Sequence, residues 1–363
     1  MDIFEKLYKS VLDNKVPTIF LGSGASIATG IELEMENNFP SMTYLAKQYF
    51  DNIEPNDQWG QGDIIFWDNF QKEIKELNKD WNDFNLEKFL LEYPLNESSV
   101  LLSELLEITI RAFHDPQKEL EKKVVFNPDV EFSIRQLFEQ LLKFLDKSRP
   151  FIEVISPNYD LIIEYTADLL GVPCLTGFHG NILRKWKPEL GFSNPLIDRK
   201  QKMDYAKHIR YYKPHGSYSW FMNKAGVAME YFSDKNVPDD WVRCMIAPGP
   251  SKYQNTLKDI RRDHLKFMDD AFENSQSIIV IGYGLNDPHL QEGLKKCLKR
   301  KVPILIVTKE LSEEAKDEFI TDKKNVFAIL EDGNGSVVIN GDREFQFKEQ
   351  YWKLDELNKK LIN

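Results

Sequence analysis

The chain has 363 residues, 42% hydrophobic and 12% aromatic, with a formal net charge of −11 at pH 7. That length holds one large domain or two ordinary ones, and the acidic balance argues against a long nucleic-acid groove, which needs clustered Lys and Arg. Three scattered cysteines (Cys174, Cys244, Cys297), a charged amphipathic start and the lack of a run of about 18 apolar residues exclude a disulfide framework and a spanning helix, and predict a cytoplasmic protein.

Residues 3–14 carry Ile3, Phe4, Leu7, Tyr8, Val11 and Leu12 on one helical face. Residues 16–21 form a short apolar, β-rich run ending in Gly22-Ser23-Gly24-Ala25-Ser26, the strand, tight turn and helix start of a doubly wound sheet. Helical stretches then follow one another at 41–51, 68–79, 85–93, 97–113 and 130–147, with little strand character between them. Strand patterning returns at 151–156, then helix at 161–170, strand at 208–213, helix at 254–274, strand at 277–281, helix at 289–299 and strand at 304–307. This alternation predicts an α/β fold: a Rossmann-like, doubly wound parallel sheet from residues 1–31 and 150–363, with 32–149 as a helical insertion. The apolar faces at 97–113 and 130–147 suit packing on the core better than an interface.

Ligands of such sheets sit beyond the carboxyl ends of strands, and four candidate loops fall there. Gly22 and Gly24 permit close backbone approach to a pyrophosphate at a helix N-terminus, with Ser23, Ala25 and Ser26 completing the turn. The third glycine of the dehydrogenase fingerprint is replaced by Ile27. In Ser156-Pro157-Asn158-Tyr159-Asp160, the Asn158 amide can hold a ribose hydroxyl or orient water, and Asp160 can fix the loop by accepting backbone N–H bonds. His215, in Lys213-Pro214-His215-Gly216-Ser217, can act as a general base. It is preferred to His179 because a β-rich run leads into it. Gly282 permits close approach to ribose or phosphate, and Tyr283 and Asn286 can hydrogen-bond there. Asp287 with Pro288 also reads as a helix start.

These motifs resemble those of the sirtuin family. G-A-G-x-S followed after three residues by G-I is matched by Gly22-Ser23-Gly24-Ala25-Ser26 and Gly30-Ile31, T-x-N-Y-D by Ser156–Asp160, the catalytic H-G by His215-Gly216, and the late G-Y-S-x-x-D loop by Gly282–Asp287. The likeness spans about 16–31 and 150–310. It implies NAD⁺ as substrate, with Asn158 and His215 catalytic, and Gly22, Ser23, Gly24, Ala25, Ser26, Asp160, Gly282, Tyr283 and Asn286 binding it. Two features depart from the protein-deacylating members. Glu32-Leu33-Glu34-Met35 replace P-D-F-R, and residues 217–250 hold one cysteine where those members carry paired C-x-x-C motifs. No zinc module or other metal is therefore expected. The resemblance then implies an NAD⁺ glycohydrolase like the bacterial antiphage effectors, a homo-oligomer controlled by a partner such as a HerA-type ATPase. Two other readings stay open: an NAD⁺-dependent deacylase or ADP-ribosyltransferase, and a non-catalytic module binding NAD⁺ or ADP-ribose.

Overall fold

Apolar runs without polar alternation require strands buried on both faces, and such runs form the centre of the sheet. The computed structural model describes residues 2–77, 81, 84–96, 98–199, 202–233, 237–246 and 258–361. The chain opens with α1 (Ile3–Val11), β1 (Thr18–Leu21) and α2 (Ser23–Glu32), followed by α3 (Met42–Asn52), α4 (Gln61–Glu76), α5 (Leu86–Glu92), α6 (Val100–Val125) and α7 (Ser133–Phe144). Next come β2 (Phe151–Ile155), α8 (Ile162–Leu169), β3 (Cys174–Leu175), β4 (Gly177–His179), β5 (Arg184–Lys187) and the one-turn α9 (Pro188–Gly191). After these lie β6 (Leu196–Arg199), β7 (Lys202–Tyr205), β8 (His208–Tyr212), β9 (Gly216–Met222), β10 (Ala228–Glu230) and β11 (Val242–Met245). The last third holds α10 (Lys258–Glu273), β12 (Ile278–Ile281), α11 (Pro288–Lys299), β13 (Ile304–Val307), α12 (Glu313–Phe319), β14 (Val326–Asp332), β15 (Gly335–Asn340), β16 (Arg343–Phe347) and α13 (Leu354–Leu361).

The nine-stranded sheet runs β16-β15-β14-β13-β12-β1-β2-β8-β3. From β14 to β3 every neighbouring pair is parallel, and only β15 and β16 turn back as an antiparallel edge. The chain leaves β1 for β2 on one side and later returns to β12 on the other, so β1 marks the topological switch point. The sheet is covered on both faces. One carries α1, the helices of the insertion and α13 in a single continuous core with Ile19, Ile152, Ile209 and Ile279. The opposite face packs Phe20, Ile155, Val280 and Ile306 against Met268 and Phe272 of α10, Leu290 and Leu294 of α11, and Phe319 of α12.

The helices expected at 41–51, 85–93 and 130–147 are α3, α5 and α7. That at 68–79 is α4, which starts earlier, and that at 97–113 is α6, which runs twelve residues further. Residues 78–79, 97 and 254–257 of the expected helices lie outside the described residues. Pro116 stands inside α6, where a proline deletes one backbone donor. The buried series Leu105, Thr109, Phe113, Pro116, Leu120 and Val124 continues past it, so packing overrides the local break. The apolar faces of α6 and α7 are buried in the core.

Uninterrupted β-α alternation from 151 onward is not what the structure holds. Between β3 and α10 the chain builds a separate five-stranded antiparallel sheet, β11-β9-β10-β5-β4, and a β6–β7 hairpin. This module has its own small core, with Phe178, Trp220, Met222, Cys244 and Ile246. The seven residues of β9 are all buried, polar ones included, which hides the period-2 alternation that would announce an antiparallel strand. Among the described residues, no helix is long and apolar enough to cross a membrane.

Candidate functional site

The loops after β12, β1, β2 and β8 leave adjacent strands at their carboxyl ends. They are joined by hydrogen bonds. After β1, Gly22 and Gly24 lie against the β12 loop: Gly22 N donates to Ile281 O and Gly24 N to Gly282 O, both at 2.9 Å. A Cβ on Gly22 would stand 2.5 Å from Tyr283 Cα, and one on Gly24 2.9 Å from Gly282 Cα. Gly282 has φ +61°, and a Cβ there would overlap Ala25 N and Gly24 C. Contact between the two loops is therefore reason enough for all three glycines. Helix α2 starts here with Gly22 as N-cap, no side-chain cap and no acidic residue in its first turn; with Gly24 N and Ala25 N already bound to Gly282 O and Gly22 O, it is the positive end of the dipole rather than these two N–H groups that suits an anion.

The β2 loop is bound to the β1 loop by two side chains. Asn158 Nδ2 donates to Gly22 O and to Ser26 Oγ, each at 2.7 Å. Because Gly22 O can only accept, the amide orientation is fixed, and Oδ1 has no protein donor among the described residues. Ser26 Oγ in turn donates to Asp160 Oδ2 at 2.6 Å, and Asp160 Oδ1 accepts from Ile162 N at 3.0 Å. Asp160 is buried and so orders both the start of α8 and the β1 loop. Ser156 Oγ completes the junction, donating to Leu21 O and accepting from Asn158 N, both at 3.0 Å.

The β8 loop joins through Lys213, a residue the sequence reading did not single out. Its ammonium is fully buried and donates to Asp160 O at 2.6 Å, Ser217 Oγ at 2.8 Å and Glu164 Oε1 at 3.0 Å. Burial pushes the Glu164 carboxyl up to about 7, against the pull of Lys213. Two residues on, the His215 ring is partly exposed, with Nε2 3.4 Å from Asp287 Oδ2 in the β12 loop. Gly216 has φ +86°, and a side chain there would overlap the Cys244 carbonyl of β11. The H-G pair is thus set by β9–β11 packing as well as by any chemistry at His215. The insertion supports the same junction. Phe113 of α6 packs edge-on to Tyr159 at 5.2 Å, Gln117 Oε1 accepts from Leu161 N at 3.2 Å, and His114 Nδ1 lies 2.8 Å from the Tyr218 hydroxyl.

Two candidates sit differently. The Tyr283 ring is buried in the core 4.6 Å from that of Phe20, and its hydroxyl lies 3.4 Å from Asp287 O, so its side chain serves packing. Asn286 is exposed and borders a cleft between the insertion and α12. His179 is on β4 of the five-stranded sheet, just past the edge strand β3, and is not on the loops after β1, β2, β8 and β12. Among the described residues, no group of three or more His, Cys, Asp or Glu side chains could hold a metal ion. Cys244 is buried in the small core, and burial pushes its thiol up to about 12.

Residues 152–329 match the family described as the SIR2-like domain. The match contains the loops after β2, β8 and β12; that after β1 precedes it. Solved structures similar to the chain include a Sir2–p53 peptide–NAD⁺ complex (11% identity, TM-score 0.37, covering 88% of this chain and 90% of that one). They also include Sir2Tm bound to a propionylated peptide, at 11% identity and TM-score 0.38, covering 87% and 88%. No curated protein sequence matches.

Proposed function

We propose that the chain binds NAD⁺ across the β1, β2, β8 and β12 loops and hydrolyses its nicotinamide–ribose bond. The observation that carries this reading is the hydrogen-bonded junction of Gly22, Ser26, Asn158 and Asp160, beside the His215–Asp287 pair, in a SIR2-like domain. The α2 N-terminus receives the pyrophosphate. Asn158, held rigid through Nδ2, presents Oδ1 to a ribose hydroxyl. The C–N bond breaks with its electron pair leaving on nicotinamide, which becomes neutral, and water adds to the ribose carbon. Asp287 accepts from whichever imidazole nitrogen faces it. The opposite nitrogen of His215 is then the unprotonated one, free to take the proton from the attacking water. The products are nicotinamide, ADP-ribose and a proton.

Hydrolysis is favoured over acyl transfer by what stands between β8 and β12. That segment is an antiparallel module built on aromatic packing, and its one cysteine is buried. Extending the resemblance drawn from the motifs, the activity serves as an NAD⁺-depleting antiphage effector, assembled as a homo-oligomer and controlled by a partner such as a HerA-type ATPase. The test is to incubate the purified chain, alone and with such a partner, with NAD⁺ and resolve products by chromatography. Nicotinamide and ADP-ribose in equal amounts are expected. An acetyl-peptide that is consumed together with NAD⁺ would replace this reading by deacylation.

A further inference from the structure

A second cavity, ≈ 560 Å³, lies against the outer edge of the nine-stranded sheet, walled by α8, β3, α9 and the five-stranded sheet. Its size falls in the range of small-molecule pockets, roughly 300–1,000 Å³. Three aromatic rings line it, Tyr165, Phe178 and Phe232, together with the His179 imidazole and Glu164, Asp168 and Arg184.

The charges on this wall are unequal in what they offer. Arg184 is the one Lys or Arg among the described lining residues, and it is already engaged. Its Nη1 lies 3.1 Å from Glu230 Oε2 and its guanidinium stands over the Phe232 ring at 5.2 Å. Glu230 is fully buried and also accepts from Thr176 at 2.8 Å and from Trp220 Nε1 at 3.0 Å, so the pair is fixed. The carboxyls remain. Glu164 Oε1 is held by Lys213, while Oε2 is buried with no hydrogen-bond partner among the described residues. An unpaired buried oxygen is costly and calls for a donor. Asp168, one turn further along α8, is exposed at the same wall.

We propose that this cavity binds a flat, uncharged, N–H-bearing heterocycle of the nucleobase or nucleoside class, whose N–H group satisfies Glu164 Oε2, and that its occupancy is transmitted to the catalytic loops through Lys213. The aromatic walls suit the ring faces, and the carboxyls suit exocyclic amines. A phosphate meets two carboxyls and a neutralised arginine, with the His179 imidazole the one lining group left to receive it, so nucleotides are disfavoured. The route to the first site is short. The ammonium that holds Glu164 also holds Asp160 O and Ser217 Oγ, and Asp160 holds Ser26. A ligand that shares the Glu164 carboxyl shifts Lys213 toward Asp160 and Ser217, and so changes the loop carrying Asn158.

The binding half stands without the NAD⁺ reading; the transmission half rests on it. The test is calorimetry on the full chain with adenosine as probe and AMP as the anionic control. Saturable adenosine binding is expected, at least tenfold tighter than AMP. It should be undisturbed by saturating ADP-ribose, and weakened at least fivefold both by Asp168→Asn and by Ser193→Trp, which fills the cavity from an exposed wall position. Adenosine should then change nicotinamide release at least twofold in the native chain and not in Ser193→Trp. Displacement of adenosine by ADP-ribose, equal binding of AMP, indifference to both substitutions or lack of saturable binding overturns the site. Binding with unchanged turnover overturns the transmission. A chain inactive on NAD⁺ but passing the calorimetric arms overturns the functional reading and leaves the site standing.

Discussion

Asn158 and Gly22 meet through one hydrogen bond, side-chain Nδ2 to carbonyl oxygen at 2.7 Å, across the carboxyl ends of β2 and β1. This contact fixes the amide so that its oxygen is the group left for a ligand. Asn158→Ala removes both the lock and the proposed ribose acceptor, and His215→Ala removes the proposed base. Each is expected to lower nicotinamide release by about 10²–10⁴-fold, with circular dichroism unchanged. Asp287→Asn keeps the size of the His215 partner but not its charge, and should lower kcat while moving the pH profile of turnover. Full activity in both alanine variants would remove the assignment.

The three loop glycines allow a sharper structural test. Gly22→Ala sets a methyl 2.5 Å from Tyr283 Cα, and Gly282→Ala both overlaps the β1 loop and strains a left-handed backbone. Neither neighbour is a flexible side-chain tip, so each change should cost about 3 kcal/mol or more. Gly171 is the control: it has φ +65° but nothing within 4 Å of its Cβ position, so Gly171→Ala should cost only about 1–2 kcal/mol. Urea midpoints compare them, and equal losses would show that loop–loop contact is not what demands glycine at 22 and 282.

What was legible in the sequence follows from the physics of each element. β1, β12 and β13 are nearly continuous apolar runs and could be placed to within two residues, because strands buried on both faces look alike everywhere. The β4–β11 module was hidden because its strands are short, β9 is wholly buried and charged residues such as Arg184 and Lys185 stand in β5. Asn158, Asp160 and His215 could be found as turn residues after strands. Lys213 could not: a lysine at the end of a strand ordinarily faces water, and only the fold shows three acceptors closing round it. Nor did spacing tie Asp287 to His215, since they meet through strand order rather than sequence.

The Lys213–Glu164 pair should show itself in stability. Removing one partner of a buried pair typically costs about 3–5 kcal/mol, and Lys213→Met leaves a carboxyl that must stay protonated. Unfolded, that carboxyl ionises in the ordinary Glu range; in the native fold burial holds it up to about 7, and without Lys213, which pulls it down, it sits higher still. The variant fold therefore keeps binding a proton that the unfolded chain lacks at pH values where the native fold has released its own. Its deficit relative to the native chain should grow from pH 6 to pH 8 by about 1 kcal/mol. In Lys213→Met/Glu164→Gln the deficit should instead shrink over the same range, because the native chain still loses stability as Glu164 ionises and the double variant does not. Urea titrations at the two pH values decide this, and a pH-independent deficit would show that Glu164 is not the responsible group.

Acid should act on the fold through His264. Its ring is fully buried, stacked on Trp220 at 4.9 Å, and Nδ1 accepts from Lys213 N at 3.2 Å. Burial first, and the Lys213 charge second, push its pKa down to about 3, while burial pushes His208 down to about 4. Unfolded, both imidazoles take a proton near 6.5. Between 6.5 and these lowered values the unfolded chain binds more protons than the folded one, so stability falls as pH falls. From pH 6.5 to 5 the loss should be about 2 kcal/mol for each histidine, opposed in that window by Glu164, whose raised pKa favours the fold as it protonates. His264→Gln cannot titrate and should reduce the slope of stability against pH by about one proton, whatever it does to the absolute value. An unchanged slope in that variant would place the acid sensitivity elsewhere.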